Sequence, residues 1–456
     1  MNLSGQVVRV FGWLSQFFLA FLMAGGLTGF FELAVSYYRM RGYAKSLRFI
    51  DHRRFLDSEH IVPVSILMAV PADSQDAQDA LESLLALDFS EYEIIVAIYG
   101  GLAGLSKPLL DSFQLLPFQQ PYKRSLPTGE LQRIYRSARD FRLTVLEKPD
   151  GDRADALNAC VNLSSYPVVV TLDPDAALER DALIRIVYAF VSDPQCVAVC
   201  GAARVACEEP QNWLERRPLE CMQRTERVRA LYTSRIGTER TGFLASICDS
   251  FVAFKKSAVL EAGGFHTQTA GEEGGLLLDI QARMRRNGRR YATVFLPDPI
   301  CTVCPLVSIR EVCLQRRCWH AALKAALSRH GRAAFGWPAK QTGAGGLLFF
   351  WLSDIAAPVL ETLGLFVVPA AWLLGSVDGW FVLLYFSLSV LLGTALSVSS
   401  VLLEENIFPN TQQTGLPLWL FVYSFAENLG YRQIARACRI GWPRDRTKAK
   451  GKPEKR

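Results

Sequence analysis

The chain has 456 residues, half of them hydrophobic, with mean hydropathy +0.15 and a formal net charge of +6 at pH 7. That length exceeds one ordinary core, so two or more structural units are expected. The hydropathy is high for a soluble enzyme and low for an all-membrane protein, which points to a soluble domain with membrane segments at its ends.

Charge is concentrated at two places. Arg39, Arg41, Lys45 and Arg48 follow the first apolar segment, and ten Lys and Arg residues from Arg432 to Arg456 crowd the end. The positive-inside rule assigns both clusters to the cytoplasm. The basic tail lacks interleaved aromatics or a known module, so nucleic acid is not an expected partner. The eleven cysteines show no regular spacing, which predicts reduced thiols rather than a disulfide framework. Cys301 and Cys304 form a C-x-x-C near Cys313 and Cys318, but the second pair lacks zinc-ligand spacing.

Phe11 to Val35 is apolar over enough length for one span of about 20 residues, and without an A-x-A-like cleavage site it reads as a retained anchor. Tyr37, Tyr38, Arg39 and Arg41 read as its cytoplasmic interface. From Pro63, a strand at Val64–Val70, a helix at Ser74–Leu87 and a strand at Tyr92–Ile98 give a β-α-β opening. Leu102 to Asp140 reads as surface loops with a short helix. Next come a strand at Leu143–Leu146, a turn at Asp150-Gly151-Asp152, a helix at Ala154–Leu163 and a doubly buried strand at Pro167–Leu172. Asp173-Pro174-Asp175 falls at the carboxyl end of that strand, where open α/β sheets bind ligands. Two carboxylates there can hold a hard divalent cation, which can hold a diphosphate in turn. A lone D-x-D triplet is more often a solvated turn.

Further on, the pattern predicts a helix at Glu179–Val191, a strand at Cys196–Val205 and a charged helix within Trp213–Ser234 on the membrane side. A strand at Phe251–Phe254 and a helix at Lys255–Ala262 lead to the Gly263-Gly264 turn. A basic helix at Gly275–Asn287, a strand at Tyr291–Leu296 and an amphipathic helix at Ile309–Leu327 follow. Leu347 to Leu374 reads as part interfacial and part spanning, Trp380 to Leu403 as a clean span, and Leu416 to Phe425 as too short to cross alone. If both basic clusters are inside, the crossings after the soluble domain are even in number, which favours two. The expected units are an anchor over 1–40, a soluble domain over 60–330, membrane and interfacial helices over 345–430, and a disordered basic tail over 431–456.

The run E-K-x-x-G-x-x-A-D-A-L-N, then a strand, then D-x-D, resembles the membrane-bound family 2 glycosyltransferases, relatives of cellulose, hyaluronan and poly-N-acetylglucosamine synthases. AGGF (Ala262 to Phe265), GEE (Gly271 to Glu273), PDP (Pro297 to Pro299), QRRCW (Gln315 to Trp319) and ENLGYRQ (Glu427 to Gln433) continue the resemblance in order. It implies an α/β, GT-A (Rossmann-like) domain with N- and C-terminal transmembrane helices, in the inner membrane, multi-pass, with the catalytic domain cytoplasmic. The implied activity is inverting hexosyl transfer from a nucleotide-diphosphate sugar, a UDP-sugar foremost, to a growing polysaccharide or glycolipid. The lipid membrane and other polysaccharide synthesis or export subunits are the implied partners.

By the same resemblance, Asp173 and Asp175 hold Mg²⁺ or Mn²⁺, and Asp155 contacts the nucleotide. Arg153 stands where the family has lysine. Glu273, with Glu272 beside it, takes the place of the family's base aspartate, and its extra methylene displaces the oxygens by roughly an ångström. N-terminal helix capping is the competing account of these acids. Gln315, Arg317 and Trp319 fall in the acceptor element Q-x-x-R-W, but its arginine is Cys318 here. Other elements also depart from the family. Ala97-Ile98-Tyr99-Gly100-Gly101 replaces an acidic nucleoside-binding D-D-G-S, Pro71-Ala72-Asp73-Ser74-Gln75 replaces P-A-Y-N-E, and Thr302-Val303-Cys304-Pro305 replaces T-E-x-P. Two alternatives follow: a non-catalytic relative acting as a binding or assembly component, or an enzyme with an altered donor on which Tyr99 stacks.

Overall fold

The computed structural model describes residues 3–47, 61–72, 77–100, 107–119, 121–148, 150–206, 217–235, 250–266, 272–335, 356–407 and 418–438. A 45-residue helix α1 (Leu3–Leu47) comes first. The apolar runs then form β1 (Val64–Pro71), α2 (Ala77–Leu85), β2 (Tyr92–Tyr99), α3 (Lys107–Ser112), β3 (Leu115–Pro117), β4 (Arg133–Ser137), β5 (Leu143–Lys148), α4 (Arg153–Leu163) and β6 (Val168–Leu172). The second half contributes β7 (Ala176–Leu178), α5 (Ala182–Ser192), β8 (Cys196–Val205), α6 (Pro218–Ala230), β9 (Phe251–Lys255), α7 (Lys256–Ala262), α8 (Glu272–Arg286), β10 (Ala292–Val303) and α9 (Ile309–Phe335). The chain returns to apolar helices in α10 (Ala357–Leu373), α11 (Gly379–Ile407) and α12 (Leu418–Ala426). A π-turn over 427–431 then leads into α13 (Arg432–Ala437).

All ten strands join one mixed sheet in the order β3-β4-β5-β2-β1-β6-β9-β8-β10-β7. Its centre, β5-β2-β1-β6, is parallel, and every residue of β6 is buried, as a strand covered on both faces requires. The segment expected to be loop and short helix also contains β3 and β4, which extend the β5 edge antiparallel. Neither carries a strand pattern of its own, so the open edge of β5 imposes the conformation. Strand β10 continues past Leu296 through two proline positions, with register breaks between Leu296 and Pro299 and between Pro299 and Cys301. Proline cannot donate to a ladder, so the strand accommodates it by bulging.

Helix α4 is buried at all eleven positions, which obliges its polar side chains to find partners. Asn158 donates to Phe265 O at 2.8 Å and accepts from Phe265 N at 2.8 Å. Asn162 accepts from Leu126 N at 2.8 Å and donates to Leu126 O at 2.9 Å. Asp155 accepts from Gly129 N at 3.0 Å and pairs with the fully buried Lys148 at 2.7 Å. The polar side chains of α4 therefore fasten two surrounding backbone segments, the Leu126–Gly129 loop and the turn at Phe265. Gly264 is left-handed, with φ +81°, and a Cβ there would lie 2.4 Å from Asn158 Oδ1; this close approach fixes glycine in the turn.

Among the described residues, two helices are long and apolar enough to cross a membrane, Gln6–Ala44 and Gly379–Ile407. They pack through small residues, since a Cβ on Gly26 would sit 2.9 Å from Leu392 and one on Gly29 would sit 3.0 Å from Leu396. Helix α10 has 17 residues with Pro369 inside, and α12 has nine. The start of the predicted Leu347–Leu374 segment and most of the basic tail lie outside the described residues. Contacts also tie α1 to the sheet domain. Ser36 Oγ donates to Tyr232 O at 2.6 Å, and Tyr43 Oη donates at 2.6 Å to Asp298 Oδ1, whose side chain is buried and also pairs with Arg185. One cysteine expectation is corrected: Cys313 of α9 and Cys438 after α13 are disulfide-bonded, with Cα atoms 5.1 Å apart. Their separation of 125 residues hid the pairing from sequence.

Replacing Asn158 by alanine should leave a buried amide and carbonyl of Phe265 unpaired and lower stability by about 2–4 kcal/mol. A thermal unfolding series on the detergent-solubilised protein checks this, and a melting point unchanged from the parent would contradict it.

Candidate active site

The D-x-D turn is built by its neighbours. Asp173 and Pro174 are favoured residues at the first two positions of a tight turn, and Ala176 N donates to Asp173 O at 3.1 Å to close it. Asp173 N donates to Ser250 O at 3.0 Å, and Cys304 N donates to Asp175 O at 3.3 Å, so β9 and the end of β10 hold the turn from both sides. Its carboxylates open on a cleft that Gln223 and Arg227 of α6, Ser250, Cys304, Gln315 and Arg316 of α9, and Tyr431 also line.

Arg153, at the first position of α4, reaches this turn. Its Nη2 lies 2.6 Å from Asp173 Oδ1 and 2.6 Å from Glu273 Oε1 on α8. The guanidinium and Glu273 are about nine-tenths buried, whereas the Asp173 side chain is 35% exposed. One cation therefore neutralises both the candidate base and one candidate metal ligand. Helix α4 points its amino end at the site, where partial positive charge adds to that of Arg153. Glu272 opens α8, and its side chain lies outside the described residues.

Sequence reading placed Gln315, Arg317 and Trp319 together on α9. The structure brings Gln315 to the cleft beside Arg316, while Arg317 turns away and donates from Nε to Cys438 O at 3.2 Å. Trp319 is half-buried, one turn beyond Gln315. Arg316 pairs with Glu226 at 2.8 Å, and Glu226 also accepts from Tyr431 Oη at 2.9 Å. Asp155 lies behind the turn with its carboxylate engaged by Lys148 and Gly129. Sequence reading missed Gln223 and Arg227, because α6 read only as a charged helix near the membrane. Tyr431 was visible inside ENLGYRQ without a role.

Residues 127–262 match the family model for Glycosyl transferase family 2. The chain carries a family 2 glycosyltransferase domain. That match contains Arg153, Asp155, Asp173 and Asp175 and stops before Glu273 and Gln315. A poly-β-1,6-N-acetyl-D-glucosamine synthase of Staphylococcus epidermidis is 25% identical over 264 residues, 58% of this chain and 55% of that protein. One from Staphylococcus aureus is 24% identical over 265 residues, 57% of this chain and 54% of that protein. The chain thus spans little more than half the length of these curated relatives. A mannosyltransferase from Pyrobaculum calidifontis, solved with GDP-Man and Mn²⁺, superposes with a TM-score of 0.51 at 15% identity, covering 87% of this chain and 99% of that one. The glycosyltransferase domain is therefore GT-A-like, a mixed α/β sheet with its cleft at the carboxyl end of β6.

Cys301 is buried in β10, whereas Cys304 is exposed at the cleft. Partial burial, with Asp175 nearby, pushes the Cys304 thiol above its ordinary value. Cys304 should alkylate slowly at neutral pH and faster in more alkaline solution, and Asp175→Asn should move that profile toward lower pH. Mass-spectrometric rates with iodoacetamide test this; an identical profile in the variant would remove Asp175 as a cause.

Proposed function

We propose that this protein is a membrane-bound inverting glycosyltransferase that moves a hexosyl group from a nucleotide-diphosphate sugar, a UDP-sugar foremost, to a growing polysaccharide or glycolipid. The observation that carries this reading is the Asp173–Arg153–Glu273 chain of contacts, which joins the D-x-D turn to α8 beside a cleft shared with Gln315. The similarity to the polysaccharide synthases supports the class of acceptor.

A divalent ion fits the donor set. Two carboxylates facing a polar cleft are the complement that Mg²⁺ or Mn²⁺ takes when phosphate oxygens complete its shell. Asp173 and Asp175 would hold it, and when bound it would offset the charge on the departing diphosphate. The other tasks fall to side chains of this chain. Glu273 accepts the proton of the attacking acceptor hydroxyl, with its carboxylate aimed by Arg153. Gln315 offers hydrogen bonds and Trp319 an apolar ring face to the acceptor sugar. For Asp173 to hold an ion, Arg153 would have to release that carboxylate, and its second contact would keep it by Glu273.

The same pairing gives the non-catalytic reading its specific support, because Arg153 neutralises both carboxylates that the chemistry needs. On the enzyme reading, residues 60–330 form the catalytic unit on the cytoplasmic face of the inner membrane. Helices α1, α10 and α11 hold it there, and other subunits of polysaccharide synthesis or export are its partners.

Calorimetric titration of the solubilised protein with UDP and Mn²⁺ should give binding that Asp175→Ala abolishes. Glu273→Gln should retain that binding while slowing UDP release from UDP-N-acetylglucosamine by a hundredfold or more, about 10²–10⁴ being the worth of a general base. Absence of nucleotide binding in the parent would leave the non-catalytic reading instead.

A further inference from the structure

The cleft wall that carries Gln315 and Arg316 is fastened from behind by a covalent bond. Cys313 of α9 is joined to Cys438, 125 residues later and just past α13. Val312, Gln315 and Arg316 line the cleft. At about 100° per residue those three share one face of α9, while Cys313 and Arg317, one turn apart, share the next face round. Both attachments on that second face meet at the same residue, since Arg317 Nε donates to Cys438 O at 3.2 Å. Cys438 is itself anchored, because Arg432 and Arg436 of α13 pair with Glu361 of α10. The rotation of α9 about its own axis, which decides the side chains it shows to the cleft, is therefore set by a bond to the body of apolar helices. Without that bond, the Arg317 hydrogen bond and the Arg316–Glu226 pair remain to hold it.

We propose that the Cys313–Cys438 bond is a redox latch that sets the rotation of α9 and with it the shape of the acceptor side of the cleft. The functional consequence rests on the reading of Gln315 and of the cytoplasmic face given above, whereas the latch itself rests on the bond and on α9. In a cytoplasmic setting thiol pools keep most cysteines reduced, and the disulfides that do form are chiefly catalytic or redox-sensing. Both cysteines are partly exposed, as attack by an external thiolate requires. The reductant is a dithiol. One of its thiolates attacks a sulfur of the bond, forming a mixed disulfide and releasing the other cysteine. Its second thiol then displaces the first cysteine, so two electrons and two protons pass to Cys313 and Cys438 and the dithiol leaves as its own disulfide. An oxidised dithiol runs the exchange backwards and closes the latch.

The test uses the full-length detergent-solubilised protein, oxidised, then treated with dithiothreitol, then reoxidised. Iodoacetamide labelling read by mass spectrometry should find Cys313 and Cys438 protected until the reductant is added and then labelled together, with exposed Cys304 labelled in every state. Hydrogen exchange over α9 should quicken by about tenfold or more on reduction, because releasing a cross-link lets the helix open locally, and should slow again on reoxidation. Cys313→Ser and Cys438→Ser should each show the fast exchange with or without reductant. UDP release from UDP-N-acetylglucosamine should fall about tenfold in the reduced protein, as a misplaced acceptor contact costs, and recover on reoxidation. Labelling of the pair before any reductant, or exchange over α9 that reduction leaves unchanged, overturns the latch. So does a reductant effect that persists in Cys313→Ser. Faster exchange with unchanged UDP release overturns its bearing on the cleft. If the protein neither binds nor turns over UDP-sugar in any state, the transferase reading fails, and the labelling and exchange rates decide the latch by themselves.

Discussion

A single guanidinium holds the site in its described form. Arg153 occupies the first turn of a helix with no solvent-facing side, and from there it bridges Asp173, just past the central strand β6, and Glu273 in the first turn of α8. Without it, the two acids would lose the cation that lies between them. With it, each is engaged with the other through a common partner. Both contacts come from the one nitrogen Nη2, whose two N–H groups serve the two acceptors.

The frame was legible because its signals are local. Doubly apolar runs announced β1, β2, β6 and β8, and a D-x-D just beyond β6 announced the cleft. The α4 side chains were legible only as a motif. The structure supplies their physical content, in which Asn162 and Asp155 tie down the loop at Leu126–Gly129 and Asn158 ties down the turn at Phe265. The edge strands β3 and β4 were not legible, because their conformation comes from the strand beside them. The cleft wall was read only in part. Whether Arg316 or Arg317 faces inward depends on the rotation of α9, and no spacing rule sets that. Arg227 was hidden because a charged helix looks the same whether its charges face water or a ligand.

The cleft and the apolar helices share a wall. Tyr431 lines the cleft, and four residues earlier Glu427 is fully buried, paired with Arg229 of α6 at 2.6 Å and accepting from Ser397 Oγ of α11 at 3.1 Å. Arg432 and Arg436 continue to Glu361 on α10. A buried chain of charges of this kind contributes little net stability, but removing one member leaves the others uncompensated, so it enforces one arrangement. The apolar helices and the helices that line the cleft are thereby fixed as one body.

The Tyr43–Asp298 contact sets a rule of phase. At 1.5 Å per residue, a 45-residue helix runs to about 68 Å, more than twice the roughly 30 Å that one bilayer span needs. Each residue turns the helix by about 100°. One residue added between the apolar run of α1 and Tyr43 would swing that hydroxyl away from its buried carboxylate, whereas about seven, close to two full turns, would restore its bearing at a new height. The distance between the apolar run of α1 and the cleft is thus quantised in helical turns.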